Sequence, residues 1–467
     1  MDYRIEKDTL GEVKVPARAY YGAQTQRAVE NFKVSSLRLP MTFVRAQTII
    51  KRSAVLANMK AGAIDAEKGE AIIKAADEVL AGKLDDQFVV DAFQAGAGTS
   101  QNMNVNEVLA NRAEELLGGE IGEYKKVHPN DHVNMGQSTN DTIHVAIHIA
   151  GYIEIHERLL PAIKNLQSNL EDKAKEFHDI IKTGRTHLQD AVPMRLGHEF
   201  EAYSGMVEKS RKKLEEASDS LLELCIGGSA VGTGLNTVSD YQKNIISYIN
   251  ETSGYKFRPA ENMFRAFQSL DDIVEVSSAL RLLATGLRKI ADDLRLLSSG
   301  PIAGLGEIKL PPVQPGSSIM PGKINPVMAE MLDMVVFQIT GADMTILSAA
   351  QAGQLELNVM MPVVGYNLLL EIEILSGGIQ SFTKKCVIGI TADEEKCRYY
   401  AERSSALVTA LSPHIGYVRA AELAKESLEK KQSILELALA KKLMTVDSLE
   451  KILDLRGLSL RPDEKKY

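Results

Sequence analysis

Between Asp271 and Leu297 the chain sets Ile273, Val274, Val276, Leu280, Leu283, Leu287, Ile290 and Leu294 at three- and four-residue steps, and Arg281 is the only charge between Val276 and Leu287. A helix apolar over so much of its circumference is buried on several sides. The stretches 328–350 and 359–382 are equally apolar, so at least three long buried helices are expected in the middle of the chain. Such helices suit a bundle whose outer faces meet other subunits. Aromatic residues make up only 5% and tryptophan is absent, which leaves the packing to aliphatic side chains and the 16 methionines and favours helices further. The expected fold class is mainly α, with the central bundle of long helices forming an oligomer core.

Around that bundle the chain divides by pattern. Residues 1–140 mix short extended pieces, such as Glu12-Val13-Lys14-Val15, with an alanine-rich helical stretch from Thr42 to Ala81, and read as an N-terminal domain. Residues 141–390 read as the long-helix domain, a succession of helical segments with a kink or restart at Pro161. Residues 391–467 are charge-rich, with amphipathic patterns near 420–430 and 434–442, and read as a small helical domain. The net charge of −8 argues against a nucleic-acid groove, which wants a basic stripe. No uninterrupted apolar run reaches the roughly 18 residues of a membrane span. Cys225, Cys386 and Cys397 form no CxxC pair and leave an odd thiol, and Met1-Asp2-Tyr3-Arg4 lacks a signal-peptide layout, so a cytoplasmic protein is expected.

The chemistry concentrates in polar, glycine-rich interruptions. Gly316 to Pro326 crowds Ser317, Ser318, Lys323 and Asn325 among glycines and prolines, which suits a mobile loop over an anionic substrate. It is not a phosphate-binding P-loop: five residues separate Gly316 from Gly322, and Ile324 stands where a magnesium-binding hydroxyl belongs. Gly96 to Asn104, Gln137 to Asp141, Gly184 to Asp190 and Gly353 to Asn358 share this composition, although Ser138 to Asp141 is also what a helix N-cap looks like. Helix N-termini and neutral Thr, Ser and Asn donors bind carboxylates, and two such sites with a lysine suit a dicarboxylate. His144 and His148 stand four apart like a metal pair, but spacing suggests no third ligand, and no metal or other cofactor is expected. His187, in a polar loop beside Thr186, is the better candidate for acid–base or orienting work. Gly227 to Asn236 fails as a dinucleotide fingerprint, because Thr237 replaces the third glycine, and reads as a turn allowing close approach.

Taken together, these clusters resemble the fumarase/aspartase superfamily over nearly the whole chain. Arg4 to Gly11 with Tyr20 to Thr25 looks like its N-terminal signature, and Gly316 to Pro326 like its signature loop. The resemblance implies three mostly helical domains, a homotetramer, and active sites drawn from three subunits. It implies Ser317 as the base, Lys323 and Asn325 holding a substrate carboxylate, and Thr99, Ser138, Thr139, Asn140 and Thr186 completing the pocket. His187, paired with Glu330, would orient the substrate or assist at the leaving group. Gly98-Thr99-Ser100, Gln137 to Asp141, Ala352 to Met360 and Asn325 to Met328 look more like the aspartate ammonia-lyases of the family. Val127 to Asp131 looks more like its class II fumarases, in which His128, Asn130 and Asp131 would mark a second dicarboxylate site; a non-catalytic, crystallin-like role is the alternative outside catalysis. Ile143-His144-Val145, Ile302 and Met361 depart from the family pattern.

Overall fold

The computed structural model of the chain describes residues 2–461 and Glu464. In order come strands β1 (Tyr3–Asp8) and β2 (Gly11–Pro16) and helices α1 (Ala23–Asn31), α2 (Met41–Lys60), α3 (Ala66–Leu80), α4 (Thr99–Leu116), α5 (Thr139–Glu154) and α6 (Leu160–Glu176). Strands β3 (Ile181–Thr186) and β4 (Gln189–Arg195) follow, then α7 (Leu196–Ser218), α8 (Tyr241–Ser253), α9 (Met263–Gln268), α10 (Asp271–Leu297), α11 (Val327–Ala350) and α12 (Met361–Lys385). Shorter helices close the chain, among them α13 (Glu394–Arg403), α14 (Val408–Ile415), α15 (Tyr417–Lys430), α16 (Ile434–Ala440) and α17 (Val446–Ile452). The fold is mainly helical, as expected, and α10 has the bounds that its apolar pattern predicts. A one-turn π-helical segment, Ile155–Leu159, precedes α6 where Pro161 predicts a kink or restart.

Two compact units emerge: Met1–Pro161 with Lys212–Ala284 and Val336–Ser376, and Ala162–Arg211 with Thr285–Val335 and Gly377–Tyr467. In the first, β1 and β2 form an antiparallel hairpin. Its core gathers Val44, Val55, Ile72, Val105, Leu109 and Val127, and α5 is buried along its length from Asp141 to Tyr152. In the second, Leu407, Leu411, Leu423, Ile434, Leu437 and Leu449 form a satellite core. The second unit also holds the clearest departure from the expected succession of helices. Residues 181–195 form an antiparallel hairpin, β3 with β4, between α6 and α7.

Val327–Ala350 and the stretch Met361–Gly389 have the length and apolar composition of a bilayer-crossing helix even though no uninterrupted apolar run does. A carboxylate on each is engaged within the protein. Asp343 pairs with Arg281 at 2.6 Å and accepts a hydrogen bond from Ser277 Oγ at 2.9 Å, and the same hydroxyl oxygen lies 3.3 Å from Glu371 Oε1.

Candidate active site

In the first unit two helix N-termini meet. Gly98, in the left-handed region at φ 84°, caps α4, and a Cβ there would lie 3.0 Å from Ile143 of α5, so only glycine permits both the backbone angle and the close approach. Thr99 thereby becomes the exposed first residue of α4. At α5 the expected N-cap is present as a capping box: Ser138 Oγ accepts from the Asn140 amide at 3.2 Å, and the Ser138 amide donates to Asp141 Oδ1 at 3.0 Å. Asp141 Oδ2 accepts from the amides of Gly227 and Ser229, which ties the glycine-rich run to this helix start. Burial pushes the Asp141 carboxyl up to about 7 against these donors. Asn102 of α4 donates to Thr139 Oγ1 at 3.2 Å and so links the two helix starts. Asn140 donates its amide nitrogen to the Ala230 carbonyl at 2.8 Å. A carbonyl cannot donate, so that bond fixes the amide orientation and leaves Asn140 Oδ1 as an uncommitted acceptor. The two helix starts together offer Thr99, Ser138, Thr139 and Asn140 at positive dipole ends, an arrangement that suits a carboxylate.

The second unit carries the remaining candidates. Thr186 ends β3, and His187 and Leu188 make the two-residue turn to Gln189 with φ of 56° and 59°. Two positive φ values in a two-residue hairpin describe a type I′ turn, which normally recruits Asn and Gly. His187 is therefore held, exposed, in a costly backbone conformation of the kind that clusters at functional sites. Behind it, Arg185 grips the fully buried Glu307 through both oxygens at 2.9 Å, and buried Lys182 contacts Glu307 at 3.3 Å and Glu199 at 2.7 Å. The candidate loop closes on itself at a neck. The Gly316 amide donates to the Lys323 carbonyl at 2.9 Å, and Asn325 Nδ2 donates to the Gly316 carbonyl. Any side chain on Gly316 would collide with the Lys323 carbonyl oxygen. Within the loop, Ser317 Oγ accepts the amides of Ile319 at 3.2 Å and Met320 at 3.0 Å. Lys323 is exposed, and Glu330 sits half-buried in the first turn of α11. Among the described residues no hydrogen bond or ion pair joins His187 to Glu330.

Other singled-out residues fall into the interior. The His144 and His148 rings meet edge to face at 5.3 Å, fully buried, and His148 Nδ1 lies 2.8 Å from the Glu223 carbonyl oxygen. Burial pushes His144 down to about 3, reinforced by His148 and Arg265, and His148 is lowered for the same first reason. Among the described residues no group of three or more His, Cys, Asp or Glu side chains could hold a metal ion. His128 Nδ1 accepts the amides of Asn130 and Asp131 and so caps its own turn. Of the departures from the family pattern, Ile143, His144, Val145 and Met361 are buried, whereas Ile302 is 95% exposed. Sequence reasoning missed Lys51, a charged residue on the buried side of α2 that is fully buried and donates to Asn134. Its position between Ile50 and Ser53 in a helix with Val44, Ile49, Ala54 and Val55 was the available signal.

A family model described as lyase matches residues 11–341, and a second, fumarase C C-terminus, matches residues 407–459. The chain is 49% identical over 453 residues to an aspartate ammonia-lyase of Bacillus sp., covering 97% of both proteins. It is 47% identical over 451 residues to a class II fumarate hydratase of Helicobacter pylori, again covering 97% of both. The solved class II fumarase from Schistosoma mansoni superposes with a TM-score of 0.95 at 38% identity, over 98% of this chain and 99% of that one. With likeness of that degree running through almost its whole length, the chain belongs to the fumarase/aspartase superfamily and is an enzyme of the lyase class.

Proposed function

We propose that this lyase is an aspartate ammonia-lyase, interconverting L-aspartate with fumarate and ammonia. Ser317, as an alkoxide, takes the proton from the carbon beside one carboxylate. The C–H electron pair moves into that carboxylate as an enediolate and then returns to form the C=C bond as the C–N bond breaks and ammonia leaves. A serine hydroxyl is a poor base at its ordinary pKa, and the two backbone amides aimed at Ser317 Oγ are the donors that stabilise the alkoxide. Lys323 and Asn325 hold the carboxylate on which charge accumulates. Thr99, Ser138, Thr139, Asn140 and Thr186 complete the pocket, and His187 with Glu330 orients the substrate at the leaving group. Sites shared by three subunits of a homotetramer, a division into domains near residues 140 and 390, and a cytoplasmic location belong to the same reading.

The observation that carries aspartate over malate is the Asn140 amide. One N–H of its nitrogen is taken by the Ala230 carbonyl, which fixes the orientation of the amide and leaves Oδ1 as an acceptor open to a ligand. A substrate ammonium needs acceptors, whereas a departing hydroxyl needs a proton donor. Identity does not separate the two readings, since relatives of both names match at 49% and 47%. The test follows fumarate by its ultraviolet absorbance in reactions with L-aspartate and with L-malate. A kcat/KM for aspartate well above that for malate is expected; the reverse order would replace this reading with the class II fumarase one, because specificity is the ratio of these constants.

A further inference from the structure

A fully buried lysine is costly unless its charge is used, and a methionine of similar shape would fill the interior of α2 more cheaply. Lys51 is such a residue, at 0% exposure. Its Nζ donates to Asn134 Oδ1 at 2.8 Å. That oxygen also accepts Asn102 Nδ2 at 3.3 Å and Asn106 Nδ2 at 3.2 Å, while Asn134 Nδ2 donates to the Gln137 carbonyl at 3.2 Å. The Asn134 amide cannot flip, since its nitrogen would then face three donors. Asn102 is fixed in turn: Asn134 Oδ1 is an acceptor, so the Asn102 atom facing it at 3.3 Å is the nitrogen, its Oδ1 accepts Gln47 Nε2 at 3.2 Å, and the same nitrogen donates to Thr139 Oγ1 at 3.2 Å. Thr139 Oγ1 is therefore already an acceptor, and its own proton is left to be donated elsewhere.

We propose that Lys51 is a positioning residue for substrate binding: through Asn134 and Asn102 it fixes the Thr139 hydroxyl as a hydrogen-bond donor towards the substrate carboxylate. This rests on the reading of Thr139 as a substrate-binding residue. The chain runs from one buried cation through two amides of determined orientation to a hydroxyl at the half-buried N-terminus of α5. Burial lowers Lys51 to about 7, with Asp141 opposing the shift, and its Nζ has a proton to donate to Asn134 Oδ1 whether charged or neutral. A neutral residue at position 51 removes the strongest donor to Asn134 Oδ1, and the amide orientations lose what selects them.

The test is a double-mutant cycle on fumarate affinity, measured by calorimetry, because fumarate is common to the ammonia-lyase and hydratase readings. Thr139→Val is expected to weaken fumarate binding about 10-fold or more, the scale of a hydrogen bond to a charged group, with Thr139→Ser restoring most of it. Lys51→Met should fold and assemble, weaken fumarate about 10-fold, and raise KM far more than it lowers kcat. In the Thr139→Val background Lys51→Met should add little, since coupled residues are not additive. Should Lys51→Met fail to assemble, Asn102→Leu severs the same chain further along and is judged by the same cycle. Unchanged affinity in Lys51→Met with a strong effect of Thr139→Val, or additive effects of the two, overturns the positioning role alone. Unchanged affinity in Thr139→Val overturns the substrate-binding reading of Thr139, and the positioning role with it.

Discussion

Ser317 Oγ accepts two backbone amides from its own loop and donates to no described group, which is the state in which loss of its proton is best tolerated. Ser317→Ala removes the proposed proton acceptor and one exposed-loop hydroxyl. Turnover should fall by about 10²- to 10⁴-fold or more with the melting temperature unchanged; near-normal kcat would exclude Ser317 as the base. His144 makes a prediction of the opposite kind, about stability alone. Burial depresses its folded-state pKa to about 3, so the stability it contributes is fully present above the ordinary histidine pKa of about 6.5 and is lost as pH falls from there towards 3. The groups facing it are His148 on its own helix, which is depressed alongside it, and Arg265, with Asp272 opposing the shift at His148. Unfolding free energies followed from pH 7 to 4 should decline more steeply in the wild type than in His144→Phe, by about 1.4 kcal/mol per pH unit at most; identical slopes would place the proton elsewhere.

At the scale of elements, the β3–β4 hairpin depends on a buried ion network. Glu307 neutralises Arg185 and Lys182 together and is 0% exposed, so Glu307→Gln removes the carboxylate that both cations share, while Lys182 keeps Glu199. Breaking a buried pair typically costs about 3–5 kcal/mol. A loss of that order in the unfolding free energy from urea denaturation is expected, together with a raised KM as the turn bearing Thr186 and His187 loosens. Unchanged stability would mean that water replaces the carboxylate. The hairpin was also the element least legible in the sequence. Its turn uses His187 and Leu188 at positive φ, where no Asn or Gly announces a type I′ turn, and the polar stretch beside it reads as a plain loop. The start of α5 was legible because Ser138 and Asp141 stand three apart and satisfy each other locally, without help from the rest of the fold. Its partnership with α4 was not, since Gly98 against Ile143 and Asn102 against Thr139 are long-range encounters.

At the scale of the whole molecule, apolar surface remains on the long helices of a single chain. Met334, Phe337 and Met344 on α11 are 67%, 54% and 58% exposed, and Leu282 on α10 is 49% exposed. Large apolar side chains this exposed on long helices suit association surfaces, and the proposed homotetramer would cover them. Light scattering should therefore give about 204 kDa, four times the 51.1 kDa chain, and dilution to monomer should abolish turnover; a fully active monomer would contradict shared sites. The amino-acid sequence by itself determined the helical class, the bounds of α10, the N-cap of α5 and the polar loop from Gly316 to Pro326, because each follows from spacing and chemistry within a few residues. Only the tertiary structure decided that Asn140 presents an acceptor, that the His144 and His148 pair lies buried with His148 against Glu223, and that Lys51 stands behind Thr139. An amide's orientation, a titratable group's burial and a cation's partner are set by residues 40 to 90 positions away, brought together by packing that no local pattern encodes.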